Sequence, residues 1–338
     1  MKFRILAACV LACGLAAAAS PAAAQDNKAK QAEVKVSGGE RDAAAKIDKA
    51  QGPEAKLQAA AEFVKKYPKS ALRPQVAQKV AQEIAGAPDN QLKISLAQTY
   101  LSFFNDPSEA ALVNDALLNA YINSGQTDEA FKMGSERLAK NPDDIYLLRS
   151  LAVIASNATL NNNNAYAAQG VQYGQKAIGL LEADKKPAGT DDAKWAAYKA
   201  EALPALYRAI GIIAYKTNDP AAAIPRLEKA VALGLNDPAI NFLLGDLNYD
   251  QYQQLAKQYN VMPAGPARDA ALKQVEAQMD KTIEAYARAI GLAEGNPQLK
   301  AAQDQVMQTV EGLYKYRHNG STQGLQQIID KYKKPATQ

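Results

Sequence analysis

From about Glu40 onward the apolar positions follow a helical pattern, broken at Gly, Asn and Pro, which predicts a succession of short amphipathic helices joined by polar turns. Two stretches carry the same pattern in different letters. They are AYINSGQTDEAFKMGSERLAKNPDD, from Ala120 to Asp144, and AYKTNDPAAAIPRLEKAVALGLNDP, from Ala214 to Pro238. In each, a first helix ends in a polar turn. A second helix follows with a small residue on its inner face, Ala130 or Ala223, and Asn141-Pro142 or Asp237-Pro238 closes the unit. Antiparallel helices approach closely only where a small residue leaves room for the partner's larger side chain. Gly211 lies twelve before Ala223 and Leu118 twelve before Ala130, so each is expected on the first helix opposite that small residue.

Proline marks further joints. Tyr67-Pro68 ends AKLQAAAEFVKK and Asp106-Pro107 ends QLKISLAQTYLSFFN, with later joints at Pro142, Pro238, Asn296-Pro297 and Lys334-Pro335 and a division near Pro187. About seven units result, near 40–70, 71–107, 108–142, 143–187, 192–237, 238–297 and 298–335, the first and last degenerate. The pattern resembles the tetratricopeptide repeat, a helix–turn–helix unit of about 34 residues. Leu117, Tyr121, Gly125, Ala130 and Pro142 carry the resemblance in 111–144. Tyr207, Ile210, Gly211, Ala214, Ala223, Leu227 and Ala230 carry it in 204–237. Asn114, Leu118 and Gly134 depart from it. Pro225 falls early in a second helix, where proline is tolerated. The resemblance implies an all-α fold, a right-handed α-solenoid of helical hairpins.

Three segments depart from regular repeats. Asn157–Asn164 (NATLNNNN) is expected to lengthen a turn. The helix from Asp191 to Lys216 starts early, with Trp195 before the repeat proper. An insertion near 252–279 reads as two lengthened helices around a PAGP loop, a hairpin projecting from the stack. Alanine dominates the apolar residues, which suits close helix packing better than sheets.

The N-terminus is different in kind. Lys2 and Arg4 precede an apolar run from Ile5 to Ala19, and Ala22-Ala23-Ala24 forms a small-residue cleavage site, so 1–24 reads as a secretory signal. Residues 25–39 read as a polar, flexible leader, and 40–335 as the solenoid. The expected product begins at Gln25 and is periplasmic or secreted. The alternative is a lipobox, Val10-Leu11-Ala12-Cys13, which would anchor the chain to a membrane through Cys13, though Leu11 is an uncommon residue in that motif; the alternative role is then a membrane-tethered assembly factor or a self-associating structural protein, with the insertion near 252–279 as the contact. Both cysteines fall in the signal, so the exported chain has no disulfide or thiolate site. Losing Lys2 and Arg4 leaves 37 basic against 35 acidic residues, a net charge of +2 that does not argue for a nucleic-acid partner.

Candidate chemistry is sparse. The one histidine, His318, reads as a solvated turn residue, no phosphate-binding glycine motif occurs, and no catalytic, metal or cofactor site is expected. Asp143-Asp144 and Asp191-Asp192 read as acids at helix N-termini. What the resemblance does imply is a groove lined by first helices, holding a protein or peptide partner without enzymatic activity. Its inward positions fall on Asn119 and Asn123, then Tyr146 and Arg149, then Arg208, Tyr215 and Lys216, then Phe242, Asp246 and Tyr249. The subtype that clamps acidic chaperone tails is not supported. Only Asn119 agrees with it, and Asp115, Ser150, Ala205 and Ala209 stand at its other positions.

Overall fold

The computed structural model describes residues 36–333, in which there are fourteen α-helices, one 3-10 turn and no strand. The helices pair into seven consecutive hairpins. These are α1 (Gly38–Lys49) with α2 (Gly52–Lys66), α3 (Arg73–Gly86) with α4 (Asn90–Leu101), and α5 (Pro107–Ser124) with α6 (Thr127–Lys140). Next come α7 (Ile145–Leu160) with α8 (Ala167–Glu182), α9 (Asp192–Lys216) with α10 (Pro220–Ala232), and α11 (Pro238–Asn260) with α12 (Pro266–Leu292). Last are α13 (Lys300–Arg317), preceded by the 3-10 turn Pro297–Leu299, and α14 (Leu325–Asp330).

Local chemistry accounts for where the helices start and stop. The carboxylates of Asp89, Asp144, Asp191, Asp219 and Asp237 accept from backbone N–H groups of the first turns of α4, α7, α9, α10 and α11. Those N–H groups have no partner within the helix, so the caps satisfy them. Ser37 and Glu40 form a capping box at α1. Helix α1 therefore begins at Gly38, inside the stretch expected to be leader. Residues 25–35 of that leader, the signal, the lipobox Cys13 and Pro335 lie outside the described residues. Gly125 ends α5 in the left-handed conformation at φ 71°, which costs a residue without Cβ nothing.

Two local expectations are corrected. The prolines at 107 and 238 do not terminate the preceding helices but occupy the opening turns of α5 and α11, where the missing N–H costs no hydrogen bond. The chain has already turned at 102–104 before reaching Pro107. The Asn157–Asn164 turn is shorter than expected, because α7 continues through Leu160, with buried Thr159 donating its hydroxyl to the carbonyl of Ala155 at 2.7 Å.

Each hairpin packs on the next. α2, α4, α6, α8, α10 and α12 each contact the helix that follows, and the first helices also meet directly in the pairs α3–α5, α5–α7 and α7–α9. One core runs from Ile47 of α1 to Ile213 of α9. A second joins α9, α10 and α11 around Leu227 and Leu244, and a third joins α11 to α14 around Ile283 and Tyr314. A hairpin cannot bury its apolar face alone, so this neighbour-to-neighbour burial holds the stack together. Small residues set the closest approaches. A Cβ on Gly170 of α8 would lie 2.3 Å from the Cβ of Ala155 on α7. Gly211 faces Leu227, one turn beyond the expected Ala223, and Gly134 makes room for Leu151 of the following hairpin.

Between the second and third hairpins lies a buried ion pair. Arg73 donates to both carboxylate oxygens of Glu109, at 2.6 and 2.8 Å, and to the carbonyl of Phe103 at 2.9 Å. Its guanidinium also lies over the ring of Phe104. The sixth hairpin is the longest, and no residue from Tyr249 to Gln274 is buried, so the outer parts of α11 and α12 pack chiefly on each other. The last hairpin is cut short, α14 having only six residues.

Candidate functional site

A groove of about 780 Å³ lies between the third and fourth hairpins and the connection that leads to the fifth. Helix α5 contributes Asp115 and Asn119, and α7 contributes Tyr146 and Ser150. Each pair is spaced by four residues, which places both members on one helix face. Asn141, Asp143 and Asp144 in the turn before α7 close one end, and Lys185, Lys186 and Pro187 in the α8–α9 connection form a wall.

The charges here are mixed. Arg137 of α6 pairs with Asp115 and, at 3.3 Å, with Asp144. Lys186 pairs with Asp192, and Asp143 with Lys176 at 2.9 Å. Lys185 has no ion-pair partner among the described residues, and the side-chain amide of Asn119 has no hydrogen bond among them. Tyr146 is 45% exposed. Asn141, also exposed in the lining, has no side-chain hydrogen bond among the described residues either, so these four side chains are open to a ligand.

An aromatic ledge supports Tyr146 from α9. The rings of Tyr146 and Tyr198 lie 4.7 Å apart, and Trp195 stacks on Tyr198 at 5.9 Å. Arg149 sits over Tyr198 at 5.3 Å and donates to Glu201 at 2.6 Å. Burial raises the Tyr198 hydroxyl above the ordinary tyrosine range. Asp184, just before the lysine wall, accepts from Lys199 at 2.8 Å and from the indole N–H of Trp195 at 2.9 Å. Lys199 first, then Trp195, holds its carboxyl below the usual range. Ledge and wall are thus one connected unit.

Of the expected partner-binding residues, the structure brings Asn119 and Tyr146 together in this groove, while Arg149 is engaged by Tyr198 and Glu201. Asn123 is exposed on α5 outside it. The others are separate and several are engaged elsewhere. Arg208 pairs with Asp237 at 3.2 Å, tying α9 to the cap of α11. Lys216 donates to Asn162 at 2.9 Å beside exposed Tyr215. Asp246 accepts from the Tyr286 hydroxyl at 2.7 Å, and Tyr249 leans on Tyr252. Phe242 is corrected outright. It is 9% exposed and belongs to the core with Ile283 and Tyr286, because the first helix of this hairpin is buried against α12 at that register. Arg137, Asn141, Lys185 and Lys186 also line the groove and are not among the expected residues. They sit at a helix end and in connections, where a helix-face register carries no information.

His318 is exposed at the end of α13 and stacked on Tyr314 at 3.8 Å. Among the described residues no group of three His, Cys, Asp or Glu side chains is arranged to hold a metal ion, and no helix is long and apolar enough to cross a membrane.

No protein-family model matches the chain, and no curated protein matches it. Among solved structures, a tetratricopeptide repeat protein from Parabacteroides merdae matches with 11% identity and a TM-score of 0.35, over 79% of this chain and 96% of that one. Monomeric mutants of IFIT1, solved with Gppp-AAAA or m7Gppp-AAAA, match with 12% identity and a TM-score of 0.32. These cover 84% of this chain, which spans little more than half of the IFIT1 chain, 56%.

Proposed function

We propose that this protein is an exported, non-enzymatic scaffold of tetratricopeptide-like hairpins that holds a protein or peptide partner in the groove between α5, α7 and the α8–α9 connection. The observation that carries the reading is the meeting of Asn119 and Tyr146 in one open groove, with an unengaged amide beside an exposed aromatic face. An amide supplies both a donor and an acceptor to a peptide backbone, and tyrosine supplies rigid contact area at little entropic cost. The groove carries Asp115, Asp143 and Asp144 as well as Arg137, Lys185 and Lys186. A nucleic acid favours a field of one sign, so this mixture supports a protein partner instead. Export rests on the N-terminal pattern of Lys2, Arg4, Ile5–Ala19 and Ala22-Ala23-Ala24.

The test is photo-crosslinking from position 146, with benzoylphenylalanine in place of Tyr146 in the full chain in its native cells. A discrete adduct that disappears with Asn119→Ala and with Lys185→Glu is the expected outcome. An adduct pattern no different from that of a probe at exposed Lys257, on the projecting hairpin, would sink the reading. N-terminal sequencing of the same material reads the export route. A start at Gln25 supports a freely exported scaffold, and a lipidated start at Cys13 a membrane-tethered one.

A further inference from the structure

A second groove, of about 410 Å³, runs between α10 and α12 with α11 as its floor. Val231 and Ala285 stand in its walls and Leu244 in its floor. The floor is unusual in being polar and buried at once, since Asn241 and Asn248 are 1% and 3% exposed. Each commits one end of its amide inside the protein. Asn241 donates its Nδ2 to the carbonyl of Asp237 at 2.8 Å, and Asn248 accepts on its Oδ1 from Gln278 at 2.8 Å. The other ends, Oδ1 of Asn241 and Nδ2 of Asn248, have no hydrogen-bond partner among the described residues. An unused acceptor and an unused donor thus stand on one face of α11, seven residues or about 10.5 Å apart along the axis.

The groove is lined by three carboxylates and two cations, but the carboxylates are already engaged. Glu228 is met by Lys281 at 3.2 Å, Asp280 by Arg317 at 2.8 Å, and Glu284 by the Tyr332 hydroxyl. Arg288 alone lacks an acidic partner among the described residues. Its guanidinium is steadied by the Tyr332 ring at 5.0 Å and by Asn236 at 3.3 Å, and its buried Nε has no hydrogen bond. The ligand-facing donor is Nη1, which has no hydrogen bond among the described residues and, unlike Nε, is not closed off from solvent, and a positioned guanidinium with free Nη hydrogens selects a carboxylate.

We propose that this groove binds an extended peptide segment carrying an acidic side chain, its backbone on Asn241 and Asn248 and its carboxylate on Arg288. A polyproline II strand advances about 3.1 Å per residue with three residues per turn, so like groups recur on one side every ~9.3 Å, close to the asparagine spacing. Its backbone groups make no internal hydrogen bonds and are free to meet both amides. A lipid acyl chain would satisfy neither amide, which is why a peptide is preferred over a fatty acid despite the apolar walls. The site is separate from the groove at α5 and α7 and stands or falls independently of it.

The experiment uses the exported chain and a library of octapeptides, acetylated and amidated, with one fixed Glu and proline-enriched flanks. A matched library carries Gln in place of Glu. Enrichment of Glu peptides only is expected. Arg288→Gln should weaken the best binder about tenfold to a hundredfold, and Asn241→Leu or Asn248→Leu about threefold to tenfold. The thermal midpoint of each variant is measured to separate lost binding from lost folding. No enrichment over Arg288→Gln overturns the proposal, as does equal binding of the Gln library. A third library, of the Gln peptides with free carboxyl ends, is run alongside, and binding of that library equal to the Glu library's overturns the side-chain assignment. Binding of cis-parinaric acid with no peptide bound replaces the peptide by a lipid.

Discussion

At the scale of single residues, the strongest structural commitment is the Arg73–Glu109 pair. Both side chains are mostly buried, at 14% and 8% exposure, and the contact is bidentate. Removing one partner leaves the other charge buried without compensation. Glu109→Ala is expected to lower unfolding stability by about 3–5 kcal/mol in urea titration, and a loss under ~1 kcal/mol would show that water reaches Arg73. Tyrosines give the pH dependence. Burial first, and the hydrogen bond to Glu182 second, push the Tyr207 hydroxyl up to about 12. Tyr100 and Tyr286 are also raised, chiefly by burial. For an acid whose folded pKa is raised, the neutral form is the one the fold favours. The contribution is whole below about pH 10, the unfolded tyrosine value, and drains away as pH rises toward 12. Alkaline denaturation followed by tyrosinate absorbance should therefore begin above about pH 10 and coincide with loss of helicity. Smooth ionisation of all sixteen tyrosines near pH 10 with helices intact would contradict this.

At the scale of helices and hairpins, the stack depends on small residues at contacts where nothing can rotate away. Gly170 is the sharpest case, because its neighbour is the Cβ of Ala155, fixed to the α7 backbone. Gly170→Ala forces α7 and α8 apart and should cost about 1–3 kcal/mol, whereas an exposed glycine in open space such as Gly179 should gain slightly from the same change through helix propensity. Comparing the two variants by thermal unfolding isolates the packing cost. The repeat itself was legible because helical period, small residues and proline joints repeat together in 111–144 and 204–237. The end of α7 was not. Asparagine-rich sequence argues for a turn, and Thr159 buried in the core keeps those residues helical.

For the whole molecule, the division of the core predicts how it unfolds. One apolar cluster spans α1 to α9, and others hold the C-terminal hairpins. Repeat stacks gain stability from nearest neighbours, so distant hairpins need not melt together. The lone tryptophan, Trp195, is 4% exposed and belongs to the N-terminal cluster. Its fluorescence and the far-ultraviolet helix signal should give different urea midpoints, the helix signal carrying an additional phase from α11 to α14. Coincident midpoints would mean that the clusters behave as one cooperative unit.

The sequence by itself determined the class of element, the number of hairpins and most of their joints. Those follow from local physics: helical periodicity, capping aspartates, and prolines that only helix starts and turns accept. It also carried the register that places Asn119 and Tyr146 on facing sides of α5 and α7. Tertiary structure alone decided which candidates are available. Phe242 went to the core, and Arg208, Lys216 and Asp246 were taken up by Asp237, Asn162 and Tyr286, because a side chain's partners come from helices far away in sequence. The lysine wall at 185–186 and the buried asparagines of α11 were equally invisible in the chain. Each acquires its role only when a connection or a neighbouring hairpin is laid against it.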